Sequence, residues 1–217
     1  MKIHPITKSE LRLAQFVLLI AIMLQIALYY TGRNMSFGPH YLIVITEIVL
    51  AAVLSFTSTN RHEAPNSLHK NASILLLALI SIANISSFFL VCRTLILGTI
   101  DITGYELLVS AIAIFLTNII VFALWYWEID SPGLTGRKWS KHEKDFQFTQ
   151  QDNPADFPDW QPTFGDYLYL SNSNAINFAA ADTRPLTGQA KLLMGSQAMI
   201  SAFTLALMIA RSVNIIG

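Results

Sequence analysis

The 217-residue chain has one cysteine, Cys92, so no intrachain disulfide can form. Charge is scarce. Asp, Glu, Lys and Arg make up 13% of the residues, about half the share of a typical soluble domain. There is no phosphate-cradling glycine loop, no zinc-protease helix and no serine nucleophile elbow. Internal repeats and low-complexity tracts are absent too. His142 and Glu143 have no second histidine or cysteine nearby, so no metal site is expected. No acid–base pair or nucleophile constellation can be assembled. An enzyme is therefore not expected, nor a cofactor, nor a nucleic-acid partner.

Apolar sequence is plentiful, at 53% of the chain. Four runs, Leu11–Tyr30, Tyr41–Ser58, Ala72–Leu97 and Glu106–Trp127, reach or approach the roughly 20 residues a helix needs to cross a bilayer. Lys191–Ile216 makes a fifth. Lys2, Lys8 and Arg12 precede the first run without a small-residue cleavage site, so it reads as a permanent helix rather than a signal peptide. The expected fold is all-α: a polytopic membrane bundle of five long helices, with a half-helix or short sixth segment before the last. Residues 1–128 form a four-helix bundle, 129–164 a polar loop with aromatics, and 165–217 a hairpin with the final helix.

If the first four helices cross in turn, the N-terminus and the loops 59–71 and 128–164 share one side. That side carries Lys2, Lys8, Arg12, Arg61, Lys70, Arg137, Lys138, Lys141 and Lys144, against Arg33 in the opposite loops. The positive-inside rule makes it cytoplasmic, and the expected location is a bacterial inner membrane. Trp125, Tyr126 and Trp127 fit an aromatic belt at that interface. Trp139, Phe146, Phe148, Phe157 and Trp160 suggest that the long loop folds back onto the protein or the headgroups.

Ionisable residues inside a span are costly and functional by default. Glu47 lies roughly 9 Å and Arg93 roughly 6 Å from the same membrane face at the helical rise, so an ion pair between them is expected. Gln25 falls in the same layer. In the final helix Gln197, Ser201, Thr204, Met208 and Arg211 recur at spacings of four, three, four and three, which places them on one face. Such a face suits either a pore lining or helix–helix glue.

The segment Asp166–Thr187, DYLYLSNSNAINFAAADTRPLT, is too polar for an ordinary span. It reads as a short helix turning back inside the bilayer, which is tolerated only when buried in protein or lining a water-filled cavity. Asp166, Leu168, Tyr169 and Ser171 resemble the Asp-x-Leu-Tyr-x-Ser of pore helices in potassium channels of the two-helix type. Asp182 is similar to the aspartate that closes the filter, and Pro185-Leu186-Thr187 to the turn after it. Ala190, Lys191 and Leu192 resemble the start of the inner helix. The filter departs from the family, with Ile176-Asn177-Phe178-Ala179-Ala180-Ala181 where the glycine-containing sequence stands. The same half also resembles a family of small bacterial membrane proteins of unknown function.

The channel resemblance implies a homo-oligomer, four-fold, with Asn177, Phe178, Ala179, Ala180, Ala181 and Asp182 at the filter. It also implies Gln197, Ser201, Thr204 and Arg211 along the pore. The implied function is passage of cations or small polar solutes through a filter that is not of the potassium type. The charge bias puts the approach loop in the cytoplasm. The hairpin is then inverted, as in ionotropic glutamate receptors, unless residues 165–182 make a sixth crossing or the charge rule fails. A small transporter and a non-conducting scaffold are the alternatives.

Overall fold

A computed structural model describes residues 7–31, 40–58, 67–97, 103–130, 144–178 and 182–216. Its elements are α1 (Lys8–Thr31), α2 (His40–Ser58), α3 (Ser67–Leu97), α4 (Gly104–Asp130), β1 (Phe146–Phe148), α5 (Thr149–Asp152), α6 (Phe164–Asn177), β2 (Thr183–Pro185) and α7 (Gly188–Ile216). Four helices are long and apolar enough to cross a membrane, with spans Ser9–Tyr30, Asn71–Thr94, Gly104–Asp130 and Gly188–Ala210. These spans are what an integral membrane protein requires. The expected Tyr41–Ser58 run is helical as α2. Its apolar stretch with described side chains, Ile43–Ala52, is shorter than a crossing.

Threonines start the helices by the same physics. The Thr7 amide donates to the Glu10 carboxylate at 2.7 Å and the Glu10 amide to the Thr7 hydroxyl at 3.3 Å. Thr103 and Glu106 repeat this box at 2.9 and 3.3 Å. At α6 the Thr163 amide donates to Asp166 at 2.7 Å. At α7 the Ala190 amide donates to Thr187 at 3.2 Å. Each satisfies donors that the first helical turn leaves open.

The central helix is α4. Of an apolar 18-residue stretch of it 72% is buried, against 39%, 39% and 22% in the corresponding stretches of α1, α3 and α7. Helices α1, α3, α6 and α7 surround it, and α2 packs on α3 and α1. Where α4 ends, its side chains do not meet an outer belt. Tyr126 and Trp127 are fully buried beneath the chain that follows. The Tyr126 ring centroid lies 5.2 Å from Phe146, and Trp127 lies 5.1 Å from Phe164. Phe148 packs on Tyr167 at 5.4 Å and Trp160 at 5.6 Å. The loop aromatics Phe146 and Phe148 thus fold back on the protein, while Phe157 stays about half exposed.

Strands β1 and β2 pair antiparallel, Phe146 opposite Pro185 and Phe148 opposite Thr183. The Asp130 carboxylate that ends α4 accepts the Asp145 and Phe146 amides at 2.5 and 3.1 Å and the Tyr167 hydroxyl at 2.6 Å. Thr187, which caps α7, donates to Asp145. The strands before and after α6 are therefore joined to each other at the far end of α4.

Candidate functional site: a polar core around a short helix

Helix α6 has 14 residues, roughly 21 Å at the helical rise. Its Phe164 end sits against Trp127 near the end of α4. Its Ser171 hydroxyl donates to the Ile119 carbonyl at 2.6 Å. Ile119 lies about 16 Å back along α4 from Asp130 by the same rise, close to the middle of that span. The helix then stops at Phe178, whose left-handed backbone (φ 56°) forms the C-cap. Glycine is the usual residue there because it has no Cβ to clash. Thr183, where β2 begins, pairs with Phe148 of β1.

The inner face of α6 closes a buried network with α4 and α7. Gln197 is its hub. The Gln197 amide nitrogen donates to the Ser171 hydroxyl at 2.6 Å and its carbonyl at 3.0 Å. The Gln197 amide oxygen accepts the Tyr126 hydroxyl at 2.5 Å and the Asn174 amide at 2.8 Å. Asn174 also donates to the Met194 carbonyl at 3.0 Å and to the Tyr126 hydroxyl at 3.3 Å. Asn118 of α4 donates to the Ser201 hydroxyl at 2.9 Å. Thr204 returns its hydroxyl to the Ile200 carbonyl at 2.7 Å. Neutral amides and hydroxyls alternate here as donors and acceptors, the arrangement that makes buried polar groups tolerable. One acceptor, the Asn118 side-chain oxygen, has no partner.

This burial corrects the expected pore face of the final helix. Gln197, Ser201 and Thr204 are 0%, 0% and 1% exposed, and their hydrogen bonds are taken up within the chain. Periodicity fixed that they share a face but not that α4 and α6 cover it. The Arg211 side chain lies outside the described residues, as do Ala179, Ala180 and Ala181. Of the filter-like positions that are described, Asn177, Phe178 and Asp182 are all exposed, and Tyr169 donates to Asp182 at 3.3 Å. The outer face of α6 carries Tyr169, Asn172 and Ile176, also exposed.

The expected Glu47–Arg93 ion pair is not formed. Among the described residues the ion pair present is Arg184–Asp152 at 3.6 Å, on the surface. Glu47 is fully buried and meets Gln25 of α1, whereas Arg93 is exposed on α3. Matching depth placed them in one layer but left their directions around the helices open. A long arginine stem can carry its charge outward along the helix. No group of three or more His, Cys, Asp or Glu able to hold a metal occurs among the described residues. His142 and Glu143 lie outside them.

Sequence reasoning missed Asn118, and it assigned Tyr126 to an interfacial belt rather than to this buried network. Asn118 is the lone side-chain amide of α4, and that isolation in an apolar helix was its signal. No family model, no curated protein and no solved structure matches the chain.

Proposed function

We propose that copies of this chain assemble so that the outer faces of α6 enclose a polar passage for cations or small polar solutes. In this reading α2 is a fifth crossing, the N-terminus is cytoplasmic, and α6 is a re-entrant half-helix entering from the cytoplasmic side. The carrying observation is that Asn172, on a helix reaching the middle of α4, is exposed. Asn177 and Asp182 extend that exposed polar surface.

At roughly 21 Å, α6 is shorter than the ~30 Å hydrocarbon core, and the strands on either side of it pair with each other. Those two facts support entry and exit on one side over a sixth crossing. A side-chain amide facing lipid at that depth is costly, so water or a second copy must meet it. The resemblance to potassium channels supports four copies. The lining differs from the one that resemblance implies: it comes from α6 and the hairpin tip, because the polar face of α7 is spent inside the chain. No catalytic step, cofactor or metal enters this reading.

A non-conducting scaffold is the second reading. It is favoured by the closed Gln197 network, which fastens α6 to the bundle as firmly as a purely structural element needs. Flux separates the two. Protein purified into liposomes should pass monovalent cations, and Asp182→Asn should change the cation preference, since carboxylate rings set it. Liposomes as tight as protein-free controls would leave the scaffold reading.

A further inference from the structure

The second polar site at membrane depth lies between α1, α2 and α3, and it is built on one amide and one carboxyl. One end of the Gln25 amide is 3.3 Å from the Ile80 carbonyl oxygen of α3. The other end is 2.8 and 3.2 Å from the two carboxyl oxygens of Glu47. Both ends of the amide thus face oxygen, yet an amide has one donating end and one accepting end. With the nitrogen on the Ile80 carbonyl, the amide oxygen stands 2.8 Å from Glu47. Two bare acceptors at that separation repel, whereas a proton between them makes an ordinary O–H···O hydrogen bond. With the amide turned, its nitrogen donates to a carboxylate and its oxygen is pressed against the Ile80 carbonyl.

Three further observations select the first arrangement. Glu47 is 0% exposed. Among the described residues no cation pairs with it: α3 offers Arg93, which is exposed and forms no ion pair with Glu47. From α1 the nearest titratable group in sequence to Gln25 is Tyr29, whose phenol supplies no cation. An unpaired carboxylate out of water is so costly that such groups take up a proton instead.

We propose that Glu47 is held as a neutral carboxylic acid donating to the Gln25 amide oxygen, so that the pair is a proton-binding site within the membrane. Gln25 also lines a cavity of about 90 Å³ together with Tyr29, Ser86 and Ser87. That is room enough for water, and those side chains supply polar partners for it. The proton exchanges along this route. On release it passes to water, Glu47 is left as the carboxylate, and the Gln25 amide turns by half a rotation to donate to it. Uptake reverses both movements. The site is on α1 and α2, apart from α6, so it does not depend on any passage lined by α6.

Infrared difference spectroscopy of the full chain in lipid tests this directly. At neutral pH the wild type should show a carboxylic-acid carbonyl band that is missing in Glu47→Gln. That variant should keep the wild-type Tm, because its amide can donate to Gln25 where the acid did. Absence of the band from the wild type overturns the proposal. So does a Tm loss in Glu47→Gln that Arg93→Gln reproduces, since that is the behaviour of an ion pair. Should Glu47→Gln fail to fold, the same band is followed in Gln25→Leu. Loss of its acceptor should move the band to higher frequency, and an unmoved band overturns the assignment.

Discussion

The α4–α6–α7 side of the bundle and the α1–α2–α3 side both bury polar groups at membrane depth, and they do so in opposite ways. The first spreads the burden over neutral groups: Asn118, Tyr126, Ser171, Asn174, Gln197 and Ser201 bond mainly to one another. The second concentrates it on Glu47, which has a single amide beside it. Neutral amides and hydroxyls can be buried in numbers because each supplies what its neighbour lacks. A carboxyl with one partner has no such option and must hold a proton or find a cation. The first side is accordingly read as the fastening of α6, and the second as a site with chemistry.

The same substitution made on each side sharpens that contrast. Gln197→Leu removes the hub: the Tyr126 hydroxyl loses its acceptor, Asn174 loses one of its acceptors, and the Ser171 hydroxyl and carbonyl lose the amide that donates to both. Each buried orphan costs about 1–3 kcal/mol, so this should be the largest loss of thermal stability in the purified protein, accompanied by detachment of α6. Gln25→Leu strands a single acid, for a cost of about 1–3 kcal/mol, and should leave α6 in place. Limited proteolysis within residues 149–163, read beside the Tm, distinguishes the two. Equal losses, or release of α6 by Gln25→Leu, would break the comparison.

Part of this organisation was legible in the sequence. Apolar run length located the long helices to within a few residues. The starts could have been read more closely, since Thr7-x-x-Glu10 and Thr103-x-x-Glu106 are capping boxes in plain view. The polar segment ahead of the last helix was recognisable as something other than a span, because Ser171, Asn172, Ser173, Asn174 and Asn177 crowd into it. The stripe Gln197–Ser201–Thr204 was recognisable as one face. Its direction was not, because a pore lining and a helix interface share the same period. Nor was the partner of Glu47: depth along a helix follows from counting, but azimuth depends on packing. The three-residue strands β1 and β2 left no pattern long enough to detect.

The central claim is that α6 turns one face into the polar core and the other toward water at membrane depth. Two neighbouring positions test it. Asn172 is exposed and Ser173 is 8% exposed, so a cysteine at each, in a Cys92→Ala background, samples an exposed and a buried position of one turn. The account predicts that Asn172→Cys reacts with a membrane-impermeant thiol reagent supplied from the cytoplasmic side while Ser173→Cys does not. Reaction at Ser173 with none at Asn172, or protection of both from either side, would contradict it.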